Sequence, residues 1–177
     1  MASWIDRRGF LPEGLRAEQI ELVGTTVLVH SASPAASAVC PRCGKVSHHV
    51  HSRYRRRLAD LPAHGREVKL VLSVRRFRCR AAHCQSKIFA ERFSPAITQP
   101  HARRTTRLQS LVRHLGLALG GRPAQALAGR LLLPVSKDTF LRSVRQSAER
   151  TAFAPRVIGI DDWAPKIWRV AVSATAR

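Results

Sequence analysis

Cys40-Pro41-Arg42-Cys43-Gly44 and Cys79-Arg80-Ala81-Ala82-His83-Cys84 together use all four cysteines of the 177-residue chain. Two close pairs suit a closed tetrahedral zinc site: each pair wraps one side of the ion with sulfur at about 2.3 Å, and a glycine after the second cysteine eases the tight turn of a knuckle. The spacing predicts Cys40, Cys43, Cys79 and Cys84 as ligands of one structural zinc, because four protein ligands leave no open position for catalysis. Nearby, His48, His49, His51 and His83 read as bystanders, since four thiolates already complete the shell. Disulfide formation is the competing use of paired cysteines. The first residues, Met1 to Pro12, contain no apolar run of signal-peptide type, and the apolar stretch at Leu131–Leu133 is broken by Pro134. A reducing, cytoplasmic setting with no membrane partner is therefore expected, and there paired cysteines serve metals.

Outward from the cysteines the pattern is first β and then α. Val46 to Tyr54 and Glu67 to Cys79 alternate with β-branched content, and Asp60-Leu61-Pro62-Ala63-His64-Gly65 reads as the turn between them. An earlier alternation from Gln19 to Ser33 predicts a hairpin turning near Gly24. After Pro100 the spacing becomes helical. Leu108, Leu111, Val112, Leu115 and Leu119 make one stripe; Ala124, Leu127, Ala128 and Leu131 make a second; Phe140, Leu141 and Val144 make a third behind Ser136 as N-cap. The expected fold class is α+β, with four segments: a β hairpin in 1–37, a zinc-ribbon-like domain in 38–98, a helix-turn-helix in 101–150, and a further β segment in 155–177.

Charge narrows the function. With 31 Lys plus Arg against 11 Asp plus Glu, the formal net charge is +20, which calls for a polyanionic partner. Most of that charge is arginine, whose planar fork suits phosphate and guanine edges. Arg55, Arg56 and Arg57 lie beside Tyr54, and Arg75 and Arg76 beside Phe77; the rings are expected inside and the guanidiniums toward phosphate. Arg103 and Arg104 open the helical segment. Within a helix-turn-helix, Lys137, Thr139, Arg142 and Arg145 are the candidate groove-facing set. Three small helices also occur in proteins that never touch DNA, so the charge and the adjoining cysteine module carry this assignment.

The ordered text Cys40-Pro-Arg-Cys-Gly44, Val50 to Pro62, Val74-Arg-Arg-Phe-Arg-Cys79 through Cys84, Phe89-Ala-Glu-Arg92, Leu133 to Thr139 and Val157 to Ala164 resembles transposases of the insertion-sequence ISL-three family. That resemblance implies an N-terminal four-cysteine zinc domain, a helix-turn-helix that binds terminal inverted repeats in double-stranded DNA, and an RNase H-like DDE core. In an intact relative, carboxylates of that core clamp magnesium ions for phosphoryl transfer. By the same resemblance Asp161 would be the first such carboxylate, with Asp162 the alternative. No Asp or Glu follows Asp162, and the family pattern stops after Ala164. The expectation is thus a truncated chain that binds DNA, alone or as a homo-oligomer or mixed oligomer with an intact transposase, and does not catalyse. A zinc-dependent transcription regulator is the alternative, and an RNA-binding zinc ribbon a third.

Overall fold

A computed structural model describes residues 11–147, 158–162 and 170–174. The N-terminal residues before Leu11 and the Trp163-Ala164 end of the family-like stretch lie outside the described residues. The first hairpin forms as expected: β1 (Arg16–Val23) pairs antiparallel with β2 (Thr26–Ala32), and Gly24 takes the left-handed conformation of the turn at φ 58°. Two short strands, β3 (Ala38–Val39) and β4 (Val46–Ser47), then pair around the first cysteine pair.

The strands β5 (Val50–Ala63) and β6 (Arg66–Arg78) form one long antiparallel hairpin. The turn expected over Asp60–Gly65 is shorter than its composition suggests. Strand β5 runs through Asp60 and Pro62 to Ala63, and only His64 and Gly65 make the turn, with φ values of 51° and 67°. Two successive positive φ angles match the twist of the flanking strands. Pro62 is tolerated because β5 ends the strand order β1-β2-β6-β5 and an edge position needs no N–H for a further strand. Strand β2 runs parallel to β6, Val29 opposite Leu70, and β7 (Ile88–Ala90) pairs with the end of β6.

Alternation then sorts the side chains. Val29, Leu58, Val68, Leu70, Leu72 and Val74 share the core face, which Leu11 and Phe93 help to cover. Tyr54, on the same face, departs from the expected buried position: it is 37% exposed, while Phe77 is fully buried.

Helix α1 (Thr106–Leu119) starts where the Thr105 side chain accepts from the Leu108 N–H, and α2 (Gly121–Arg130) follows directly after Gly120. Pro123 lies in the first turn of α2, where a missing N–H costs little. After Leu131–Ser136, with Leu132 at φ 58°, α3 (Lys137–Ser147) begins; the Ser136 hydroxyl accepts from Thr139 N–H, and Gln125 Oε1 on α2 accepts from Lys137 N–H at 3.1 Å. Leu108, Val112, Ala124, Ala128, Leu133, Val135 and Phe140 form the helical core. Leu119, Leu127 and Leu131, expected inside, are 38–43% exposed, because the helices meet through smaller residues. A Cβ at Gly116 would stand 3.0 Å from Val144 Cγ2 and 3.2 Å from the Phe140 carbonyl, so α1 and α3 cross on bare backbone there.

Sheet and helical core are joined. The Ala59 N–H donates to Arg103 O and Thr105 N–H to Ala59 O, laying the entry to α1 along the outer edge of β5. Asp60, with a fully buried side chain, accepts from Thr105 Oγ1 at 2.7 Å and pairs with the Arg107 guanidinium at 2.5 Å. Residues Met1–Arg145 make one compact unit and Gln146–Arg177 a second. In the second, β8 (Ile158–Asp162) pairs antiparallel with β9 (Val170–Ala174), Asp161 opposite Ala171. No helix among the described residues is long and apolar enough to cross a membrane.

Candidate metal centre and nucleic-acid interface

Each cysteine pair sits on a turn whose backbone is already hydrogen-bonded. In the first, Cys40 N–H donates to Lys45 O and Gly44 N–H to Cys40 O, both at 2.9 Å, with Gly44 at φ 72°. In the second, Cys79 N–H donates to Lys87 O at 2.9 Å and Cys84 N–H to Ala81 O at 3.1 Å. Ser47 Oγ, donating to Arg78 O at 2.7 Å, and Arg78 N–H, donating to His49 O at 2.8 Å, lock the two turns against each other.

The four Sγ atoms consequently lie within 4.8 Å of one another, with Cys40 to Cys84 at 3.9 Å and Cys43 to Cys79 at 3.6 Å. Sulfurs about 2.3 Å from a central ion in a tetrahedron are roughly 3.8 Å apart, close to the Cys40–Cys84 and Cys43–Cys79 separations, so the cluster suits a four-thiolate zinc site. The backbone N–H of Arg42 holds the Cys40 thiol down to about 7, against the opposing effect of burial, which favours the thiolate that a metal needs. Cys40, Cys79 and Cys84 are buried and Cys43 is exposed. Beneath them Phe77 and Phe89 stack with centroids 5.9 Å apart, giving the module a small apolar floor. His48, His49, His51 and His83 are exposed and take no part in the cluster.

The arginines divide into two groups. Arg56 donates to the carbonyls of Gln99 and Ala102, and Arg75 pairs with the buried Glu91 carboxylate at 2.5 Å and donates to Ala35 O. Both are thus committed to holding loops against the sheet. Arg76 lies over the Tyr54 ring at 4.9 Å, an exposed cation–π pair. Arg53, Arg55 and Arg57 are exposed, as is Arg103, while Arg104 is half-buried and burial pushes its pKa down without removing its charge. On α3, Lys137, Arg142 and Arg145 are exposed and Thr139 is partly covered, its hydroxyl 3.0 Å from Ser136 Oγ. Asp161 and Asp162 are placed at the end of β8, paired with Ala171 and Val170.

Two buried carboxylates that organise this surface, Asp60 and Glu91, were not singled out by sequence. Each is recognisable only through its arginine partner, Arg107 or Arg75, far along the chain.

Residues 36–84 match the family model described as the zinc-finger of transposase IS204/IS1001/IS1096/IS1165, an ISL3-type zinc ribbon. The matched span begins just before Cys40 and ends at Cys84, so it contains the complete sulfur cluster. Comparison with curated proteins and with solved structures finds no match. The donor set and the family match together support structural zinc, and residues 36–84 are similar to the zinc finger of ISL3-type transposases.

Proposed function

We propose that this chain is the DNA-binding portion of a DDE-type insertion-sequence transposase, and that it recognises the element's terminal inverted repeats as duplex DNA. The observation that carries this reading is the four-sulfur cluster inside the stretch matching a transposase zinc finger. A helical core immediately follows whose last helix offers Lys137, Arg142 and Arg145 to solvent. In the proposed division of labour α2 and α3 act as a helix-turn-helix, with α3 entering the major groove. Thr139 adds a contact at the start of α3. Arg55, Arg57, Arg76, Arg103 and Arg104 supply phosphate contacts, while Arg56 and Arg75 serve the interface by fixing the loops that frame it.

Zinc is structural in this reading: it ties the two cysteine turns and exposes no open coordination position. Asp161, at the end of β8, is the proposed equivalent of the first metal-binding carboxylate of an intact relative, which would use magnesium. The activity proposed for these residues is DNA binding, as a homo-oligomer or in a mixed oligomer with intact transposase.

A gel-shift titration of the zinc-loaded protein against inverted-repeat duplex and a scrambled duplex tests the reading. A preference for the repeat of about tenfold or more, roughly 1.4 kcal/mol, is expected. Equal affinity for the two duplexes at every salt concentration would overturn end recognition.

A further inference from the structure

We infer that the outward face of β5 is a second DNA contact in which Arg53, Arg55 and Arg57 form a comb on separate phosphates of one strand; this rests on the DNA-binding function proposed above. Strand alternation puts these three on the face opposite Leu58 and the sheet core, and all three are exposed. Arg55 stands across from Ser73 and Arg57 from Val71, neither of which can neutralise a guanidinium.

The acidic groups on this side of the sheet already have partners. Glu67 pairs with Lys69 at 3.4 Å, Glu21 accepts from Gln19 Nε2 at 2.7 Å, and Glu91 holds Arg75. Among the described residues, Arg53, Arg55 and Arg57 make no ion pair, so their charge is left for a partner.

Every second residue of a strand is roughly 6.6–6.8 Å along it, which spaces the three forks for separate phosphates of a backbone carrying one charge per about 3.4 Å of axis on each strand. A protein partner fits this face less well, because none of these residues or their cross-strand neighbours is an aromatic anchor of the kind that dominates protein interfaces. The face also leads somewhere. Beyond Arg57, Ala59, Lys69 and Arg104 line a cavity of about 30 Å³ with Leu132 and Pro134, in the turn that delivers α3. The comb therefore runs toward the turn that precedes α3.

The test is fluorescence anisotropy with the zinc-loaded full chain, on inverted-repeat and scrambled duplexes across a salt series. Each of R53Q, R55Q and R57Q is expected to reduce the slope of log affinity against log salt by about 0.9, and the triple variant by about 2.7, with the repeat-to-scrambled affinity ratio unchanged. R16Q, a 69% exposed side chain on the far edge strand β1, is expected to leave the slope alone. Zinc content and thermal midpoint verify that each variant is folded. A folded triple variant with the wild-type slope overturns the comb while leaving DNA binding by α3 intact. Wild-type protein that binds neither duplex overturns the underlying function and the comb with it.

Discussion

The Asp60 carboxylate, with no solvent exposure, is held by the Arg107 guanidinium, which is 34% exposed. This pair crosses from the sheet to α1, and Thr105, the N-cap of the same helix, donates a further hydrogen bond to Asp60. A single buried charge thus fixes the helical core against the edge of β5. Arg107→Ala is expected to cost about 2–3 kcal/mol, somewhat below the range for a fully buried pair because the guanidinium is partly in solvent. Asp60→Asn should cost less, since the charge it leaves without a partner, on Arg107, is partly in solvent. The double variant should be more stable than the sum of the two losses implies, which urea denaturation of all four proteins would measure.

Removal of the metal should unfold the knuckles specifically. The protein is expected to bind one zinc per chain, and cobalt substitution should give the absorption of a tetrahedral tetrathiolate. Cys40→Ser or Cys84→Ser should abolish that spectrum, whereas alanine at His48, His49, His51 or His83 should leave it unchanged. Loss of the spectrum in any of the histidine variants would place that imidazole among the ligands.

Neighbouring arginines on β5 should separate by phenotype. Arg56→Gln removes donors to Gln99 and Ala102 carbonyls, so it should lower stability by about 1–2 kcal/mol and leave the salt slope of DNA binding unchanged. Thermal melts read against salt titrations of the same samples check this. A salt slope that falls by as much as in Arg55→Gln would mean that Arg56 leaves its carbonyls for phosphate.

Gly116 should behave unlike an ordinary helical glycine. Alanine in a helix normally gains about 1 kcal/mol over glycine, but a Cβ here meets Val144 at 3.0 Å and the Phe140 carbonyl at 3.2 Å. Gly116→Leu is expected to cost about 1–3 kcal/mol and to displace α3. Specificity for the repeat should therefore fall more than affinity for scrambled duplex, as paired gel shifts would reveal.

The parts legible in sequence are those whose cause is local. The cysteine spacing, the turn at Gly24, the Ser136 cap and the outward set Lys137, Arg142 and Arg145 each depend on residues within a few positions. The parts missed depend on partners distant in sequence. Asp60-Leu-Pro has the composition of a turn, yet it is strand because Arg107 takes the charge and an edge position forgives the proline. The run Arg53 to Arg57 looks uniform, but Arg56 faces the loop carbonyls of Gln99 and Ala102 and its neighbours face solvent. Likewise Leu127 and Leu131 share a helical stripe with Ala124 and Ala128, and the close approach of the helices buries only the alanines.

The parallel pairing of β2 with β6 has a consequence for how the chain reaches its fold. Val29 and Leu70 meet only after a long intervening stretch has been closed, and the entropy of that closure must be met before the contact rewards it. The stretch includes Cys40 and Cys43 just beyond β2, while Cys79 and Cys84 lie just beyond β6. An ion that draws the two cysteine turns together therefore brings the ends of β2 and β6 side by side, and metal capture should accelerate sheet assembly as well as stabilise the finished knuckles.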